Sequence, residues 1–82
     1  MEFWCFVKNF HQYDIYEKDT TILHFKTEDE AVNCFNEYTR MYIEDLHLDE
    51  NETFVDINEN SYYFTYSDDD LEVELTLDKI VL

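Results

Sequence analysis

Few residues in this chain are of the types that carry catalysis: three histidines (His11, His24, His47), two cysteines (Cys5, Cys34) and two serines (Ser61, Ser67). The histidines are scattered, with no His-x-His or His-Glu-x-x-His spacing, and two cysteines do not complete a zinc set with them. Glycine is absent. That excludes the phosphate-cradling loops of nucleotide-binding proteins and the Gly-x-Ser-x-Gly elbow of hydrolases. The sequence predicts no enzyme, no cofactor and no metal site.

Carboxylates are the one abundant functional group. The chain has 21 Asp and Glu against 5 Lys and Arg, a formal charge of −16 in 82 residues. Among so many acids, nearness of two carboxylates says little about acid–base catalysis. Two runs, Asp49-x-Asn51-x-Thr53 and Asp56-x-Asn58-x-Asn60, imitate the start of a calcium loop. The first has Phe54 where that loop needs Gly and Asn60 where it needs a bidentate Glu; the second has Ser61 and Ser67 there. Asp68-Asp69-Asp70 reads more simply as a solvated turn.

The distribution of charge is uneven. Residues 1–40 carry 8 acids and 4 bases, residues 41–82 carry 13 acids and only Lys79, and no base lies between Arg40 and Lys79. A small domain needs a net charge of about 2–8 for solubility, and any excess destabilises it by self-repulsion. Such a surface repels nucleic acid and anionic membranes and attracts basic proteins. On strands, Glu72, Glu74 and Asp78 form an outward row, extended by Asp68, Asp69 and Asp70, with a spacing of roughly 6.6–6.8 Å per two residues. On a helix, Glu30, Glu37 and Glu44 recur every roughly 10.5 Å. The expectation is that these ridges mimic backbone phosphates and together enter a Lys- and Arg-lined groove.

The elements that must carry those acids follow from periodicity and caps. At 45% hydrophobic and 18% aromatic residues, the chain is too apolar for disorder, and its length suits one domain, residues 1–82. Strands are predicted at 2–8 and 20–26, with a loop or ragged extension over 9–19. Thr27 and Glu30 match a capping box, and Glu28, Asp29 and Glu30 suit a helix N-terminus. The stripe Ala31, Phe35, Tyr38, Tyr42, Leu46, widened by Val32 and Ile43, carries that helix to about His47. Further strands are predicted at 52–57, 61–67 and 71–77. In the last, Leu71, Val73, Leu75 and Leu77 face one way while Glu72, Glu74 and Thr76 face the other. The fold class is α+β, one helix on an antiparallel sheet of about five strands in the order ββαβββ. Trp4, Phe35, Phe54 and Phe64 are the expected core, and Tyr62, Tyr63 and Tyr66 stand on both sides of one strand.

The start of the sequence lacks the pattern of a signal peptide, and no apolar run approaches a membrane span, so the expected location is cytoplasmic. In a reducing compartment Cys5 and Cys34 are expected as free thiols rather than a disulfide. Gly and Pro are absent and Ala31 and Arg40 are alone of their kinds, which implies an A·T-rich coding sequence.

In size, acidity, lack of Gly and Pro and implied coding bias, the whole chain resembles the loose class of small phage-encoded inhibitors: anti-CRISPR proteins, anti-restriction DNA mimics and uracil-DNA glycosylase inhibitors. The resemblance is one of composition. It implies a stoichiometric inhibitor in the host bacterial cytoplasm, bound to a basic nucleic-acid-binding protein such as a nuclease or CRISPR effector, and not to nucleic acid or membrane. The acids expected to carry binding are Glu44, Asp45, Asp49, Glu50 and Glu52 near the helix end, with Asp68, Asp69, Asp70, Glu72 and Glu74 on the last hairpin. The rival reading is an acidic interaction or assembly module without mimicry, including a homodimer through an exposed sheet edge.

Overall fold

The computed structural model describes residues 1–13 and 15–82; Asp14, inside the expected 9–19 loop, lies outside the described residues. Five strands and one helix follow in the order β1 (Glu2–Gln12), β2 (Glu17–Phe25), α1 (Glu28–Asp45), β3 (Thr53–Ile57), β4 (Ser61–Ser67) and β5 (Leu71–Val81), with a short 3-10 turn at Glu50–Glu52. The fold is α+β, one helix packed on a five-stranded antiparallel sheet of order β2-β1-β5-β4-β3. β1 and β5 are longer than their apolar patterns indicate: each continues through polar residues because the other supplies an unbroken ladder from Glu2↔Val81 to Gln12↔Leu71.

Alternation sorts the strands into two faces. Trp4, Phe6 and Lys8 of β1, Phe64 of β4 and Val73, Leu75 and Leu77 of β5 are buried on the helix face. Ala31, Phe35 and Tyr42 close over them from α1. Aromatic pairs tie the layers, with Phe6 stacked on Tyr38 at 5.2 Å and Phe10 on Tyr42 at 5.8 Å. Phe54, expected in the core, is instead 57% exposed. Its register opposite Thr65 puts it on the other face, which no helix covers.

The helix begins as its cap indicates. Thr27 has extended backbone, its hydroxyl oxygen accepts the Glu30 N–H at 3.3 Å, and the hydroxyl donates to the Glu30 carboxylate at 2.8 Å. The other end departs from the stripe. Leu46 is exposed at the C-cap, His47 turns left-handed at φ 53, and the Leu48 N–H returns to the Ile43 carbonyl at 3.0 Å. This is a Schellman-type ending that buries Leu48 in place of Leu46. A chain without glycine makes the turn with histidine, against the steric cost of a Cβ.

Lys8 is the one buried charged side chain among the described residues. Its ammonium reaches the Asp19 carboxylate at 2.7 Å and lies 5.5 Å from the Tyr38 ring centroid. Burial works against the charge, but the Asp19 hydrogen bond and the neighbouring Tyr42 and Asp19 outweigh it, and the pKa is raised. The pair's contribution is therefore full below the ordinary lysine value and is lost as pH rises through the higher folded value. Asp19→Ala, which strands the ammonium beneath the helix, is expected to cost about 1–3 kcal/mol. Lys8→Met, which removes the charge but keeps the stem, is expected to stay within about 1.5 kcal/mol of the parent. Urea midpoints check both, and a neutral Asp19→Ala would remove the pair from the stability account. His47→Gly is expected to raise stability by roughly 0.5–1 kcal/mol in the same assay.

Candidate acidic binding surface

Three separate segments deliver acids to one end of the sheet. α1 starts after β2 and runs back along the sheet, so its last turn lies over the end marked by the Phe10–Tyr42 stack. The β4–β5 turn closes at the same end, where the Tyr13 N–H donates to the Asp70 carbonyl at 2.8 Å. The connector brings its acids alongside: the charges of Asp49 and Glu52, with that of Asp68, act on the Tyr66 phenol. Glu44, Asp45, Asp49, Glu50, Glu52, Asp68, Asp69 and Asp70 thus share one end, all exposed. The stretches that bear them, 44–52 and 68–70, contain no Lys or Arg, and Arg40 stands one turn earlier on α1.

Some of these acids are engaged in holding the backbone. Asp68 Oδ1 accepts the N–H groups of Asp70 and Leu71, each at 2.8 Å, and Oδ2 accepts the Tyr66 hydroxyl at 2.6 Å. Asp49 Oδ1 accepts the Asn51 N–H at 2.9 Å and starts the 3-10 turn. Both imitation calcium loops are accounted for here: the first folds as that turn, the second as β3 and its hairpin. Glu44 lies 3.5 Å from Arg40. Asp45, Glu50, Glu52, Asp69 and Asp70 make no side-chain hydrogen bond or ion pair among the described residues.

Glu72 and Glu74 belong to a different surface. They stand on the uncovered face, where Glu72 accepts the Tyr13 hydroxyl at 2.6 Å and Glu74 the Tyr63 hydroxyl at 3.3 Å. A shallow depression of about 320 Å³ beside them is lined by Asn9, His11, Lys18 and Thr20, so their field is shared with donors and a base. The expected helix ridge Glu30, Glu37 and Glu44 lies on the opposite side of the sheet. The two ridges therefore do not enter one groove from one side, because the sheet itself separates them. The same geometry parts Cys5, on the uncovered face, from Cys34 on the helix, and both are free thiols. Burial pushes the Cys34 thiol up, with Glu37 adding to it.

Two groups at the acidic end have shifted protonation. The hydrogen bond to Asp68 is the main cause that pushes the Tyr66 phenol up to about 12, and the same bond, with the turn N–H groups, holds Asp68 below its ordinary value. The windows follow from the signs. Tyr66's contribution is full below pH 10 and is lost as pH rises through about 12. Asp68's is full above the ordinary carboxylate value of 3.8 and is lost as pH falls through its lower folded value. Comparison with protein-family models, curated proteins and solved structures gives no match. Ring NMR of Tyr66 is expected to show titration near 12 in the parent and a return toward the ordinary phenol value in Asp68→Asn. An unmoved titration in that variant would mean the clamp is not its cause.

Proposed function

We propose that this chain is a stoichiometric inhibitor whose acidic end occupies a Lys- and Arg-lined surface built for nucleic acid, in the manner of anti-CRISPR or anti-restriction proteins. The observation that carries the reading is the convergence of eight exposed carboxylates from stretches 44–52 and 68–70, which hold no Lys or Arg, with Arg40 of α1 beside Glu44 alone of the eight. The molecule extends 42 × 25 × 16 Å, and an eleven-residue strand spans about 37 Å, so the long axis runs with the strands and the end is about 25 Å wide. That end carries eight carboxylates within about 25 × 16 Å, a concentration of negative charge suited to a groove lined with Lys and Arg.

The cost of the arrangement supports the reading further. Glu44 and Asp45 lie in the last turn of α1, which has no basic residue. There the helix dipole disfavours negative charge by about 0.3–1 kcal/mol per residue. Acids kept where they destabilise the fold point to a role outside it. Asp45, Glu50 and Asp69 supply one unengaged acid from each segment, so their joint replacement by Lys leaves the turn-forming Asp49 and Asp68 in place.

The partner is a basic protein that itself binds DNA or RNA. Immobilised protein is expected to retain nucleic-acid-binding enzymes from bacterial lysate at low salt and to release them at about 0.5 M salt. Added duplex DNA or guide RNA is expected to prevent capture, and Asp45→Lys/Glu50→Lys/Asp69→Lys, folded by circular dichroism, to lose it. Capture indifferent to nucleic acid would overturn mimicry, and capture undiminished in the folded triple variant would move the site away from this end.

A further inference from the structure

The two edges of the sheet are built differently. β2 opens with Glu17, Lys18 and Asp19, charged residues of the kind that discourage strand addition. β3 has no Lys, no Pro and one acid, Asp56, and it leaves Phe54, Val55 and Ile57 exposed at 57%, 49% and 58%. Its free backbone groups follow from the hairpin. The Asn58 N–H donates to the Ser61 carbonyl at 2.8 Å, closing a two-residue loop. By antiparallel alternation Phe54 and Asp56 then exchange bonds with β4, while Val55 and Ile57 aim their N–H and C=O groups outward. The Thr53 N–H is taken by the Glu50 carbonyl, leaving the Thr53 C=O outward.

We propose that β3 is a self-association edge: two copies pair β3 with β3 antiparallel about a two-fold axis at Val55, joining their sheets. Strand length and charge select that register: centring on Ile57 runs Val55 against Glu59 of the hairpin loop and leaves only the Ile57 pair to bond. Outward groups also meet when the pair is centred on Phe54, but Glu52 then faces Asp56 of the second copy. Centring on Asp56 sets the two Asp56 carboxylates against each other. Like charges directly opposite destabilise a strand pair. Centred on Val55, Asp56 faces Phe54 of the second copy and Glu52 faces Asn58, so no acid stands directly opposite an acid and the two Asp56 are diagonal neighbours only.

The pair is closed by four backbone hydrogen bonds, Val55 N–H to Val55 C=O and Ile57 N–H to Thr53 C=O, each in both directions. The two Val55 side chains meet on the helix face. The Phe54 rings lie diagonally, roughly 7–8 Å apart, on the other face. The surface is isologous, as a two-fold requires. A five-residue strand buries less than the ~1,200 Å² of a stable interface, and each copy carries −16, so the dimer is weak and favoured by salt. It does not depend on the inhibitor reading.

Sedimentation equilibrium at about 0.2 mM protein tests the pairing, in about 0.5 M NaCl, where the Debye length is roughly 4 Å. The expected mass is twice the 10.1 kDa of one chain. Val55→Pro removes an outward N–H that the monomer does not use, and is expected to weaken association more than about tenfold while the fold persists. Val55→Lys serves instead if that variant fails to fold. A wild-type monomer under these conditions, or a dimer undiminished in Val55→Pro or Val55→Lys, would each overturn the proposal.

Discussion

The eleven-pair seam between β1 and β5 is the interaction on which the rest of the molecule depends. It is the longest-range pairing in the chain, joining a hairpin and helix made by the first half to a meander made by the second. Without it neither half has a closed core: the first would have two strands under a helix, the second three strands with a bare apolar face. Four of the six large fully buried side chains, Phe6, Val73, Leu75 and Leu77, lie on these two strands, and the other two, Phe35 and Phe64, pack against them. The seam also unites halves of unequal charge, so its apolar burial must outweigh repulsion that grows as the halves approach.

The fold tolerates that repulsion by where it puts its acids. Glu28, Asp29 and Glu30 lie at the positive end of the helix dipole, where negative charge is stabilising. Asp49 and Asp68 take backbone N–H groups that a chain without glycine leaves to side chains at its turns. Glu72 and Glu74, on the central strand, accept tyrosine hydroxyls. These acids serve the structure. Of the remainder at the acidic end, Glu44 lies beside Arg40, and Asp45, Glu50, Glu52, Asp69 and Asp70 have no such employment among the described residues; the distinction comes from partners, not from charge or exposure.

Much of the fold was legible in the sequence wherever a local rule had no competitor. The alternation of Leu71 to Leu77 gave β5 its faces, and Thr27 with Glu30 marked the helix start. The failures have a common cause in register and long-range partnership. Phe54 looks like core by type, but its face is set by pairing with Thr65. Lys8 looks like the polar end of a strand, yet Asp19, across the hairpin, lets it continue beneath the helix. Leu46 continues the helical stripe, but the turn at His47 ends the helix and buries Leu48 instead. The candidate site divides in the same way: the clustering of acids around the helix end and last turn was readable, since both lie in the base-free stretch 41–78. That Glu72 and Glu74 face away from the helix ridge was not, because it depends on which side of the sheet the helix covers.

That separation constrains how any partner can approach. A groove fitted over the broad uncovered face would meet Glu72 and Glu74 already bonded to Tyr13 and Tyr63, beside Lys18 and exposed Ile22. A partner over the helix would meet Glu30, Glu37 and Glu44 interrupted by Arg40. The narrow end gathers the densest set of carboxylates, with Arg40 beside Glu44 and Lys18 on β2 as cations close to it. Under the proposed function, recognition by charge is end-on, along the strand axis. The β3 edge runs along the side of the sheet, and the proposed pairing there would join two sheets side by side while leaving the β4–β5 turn of each copy uncovered.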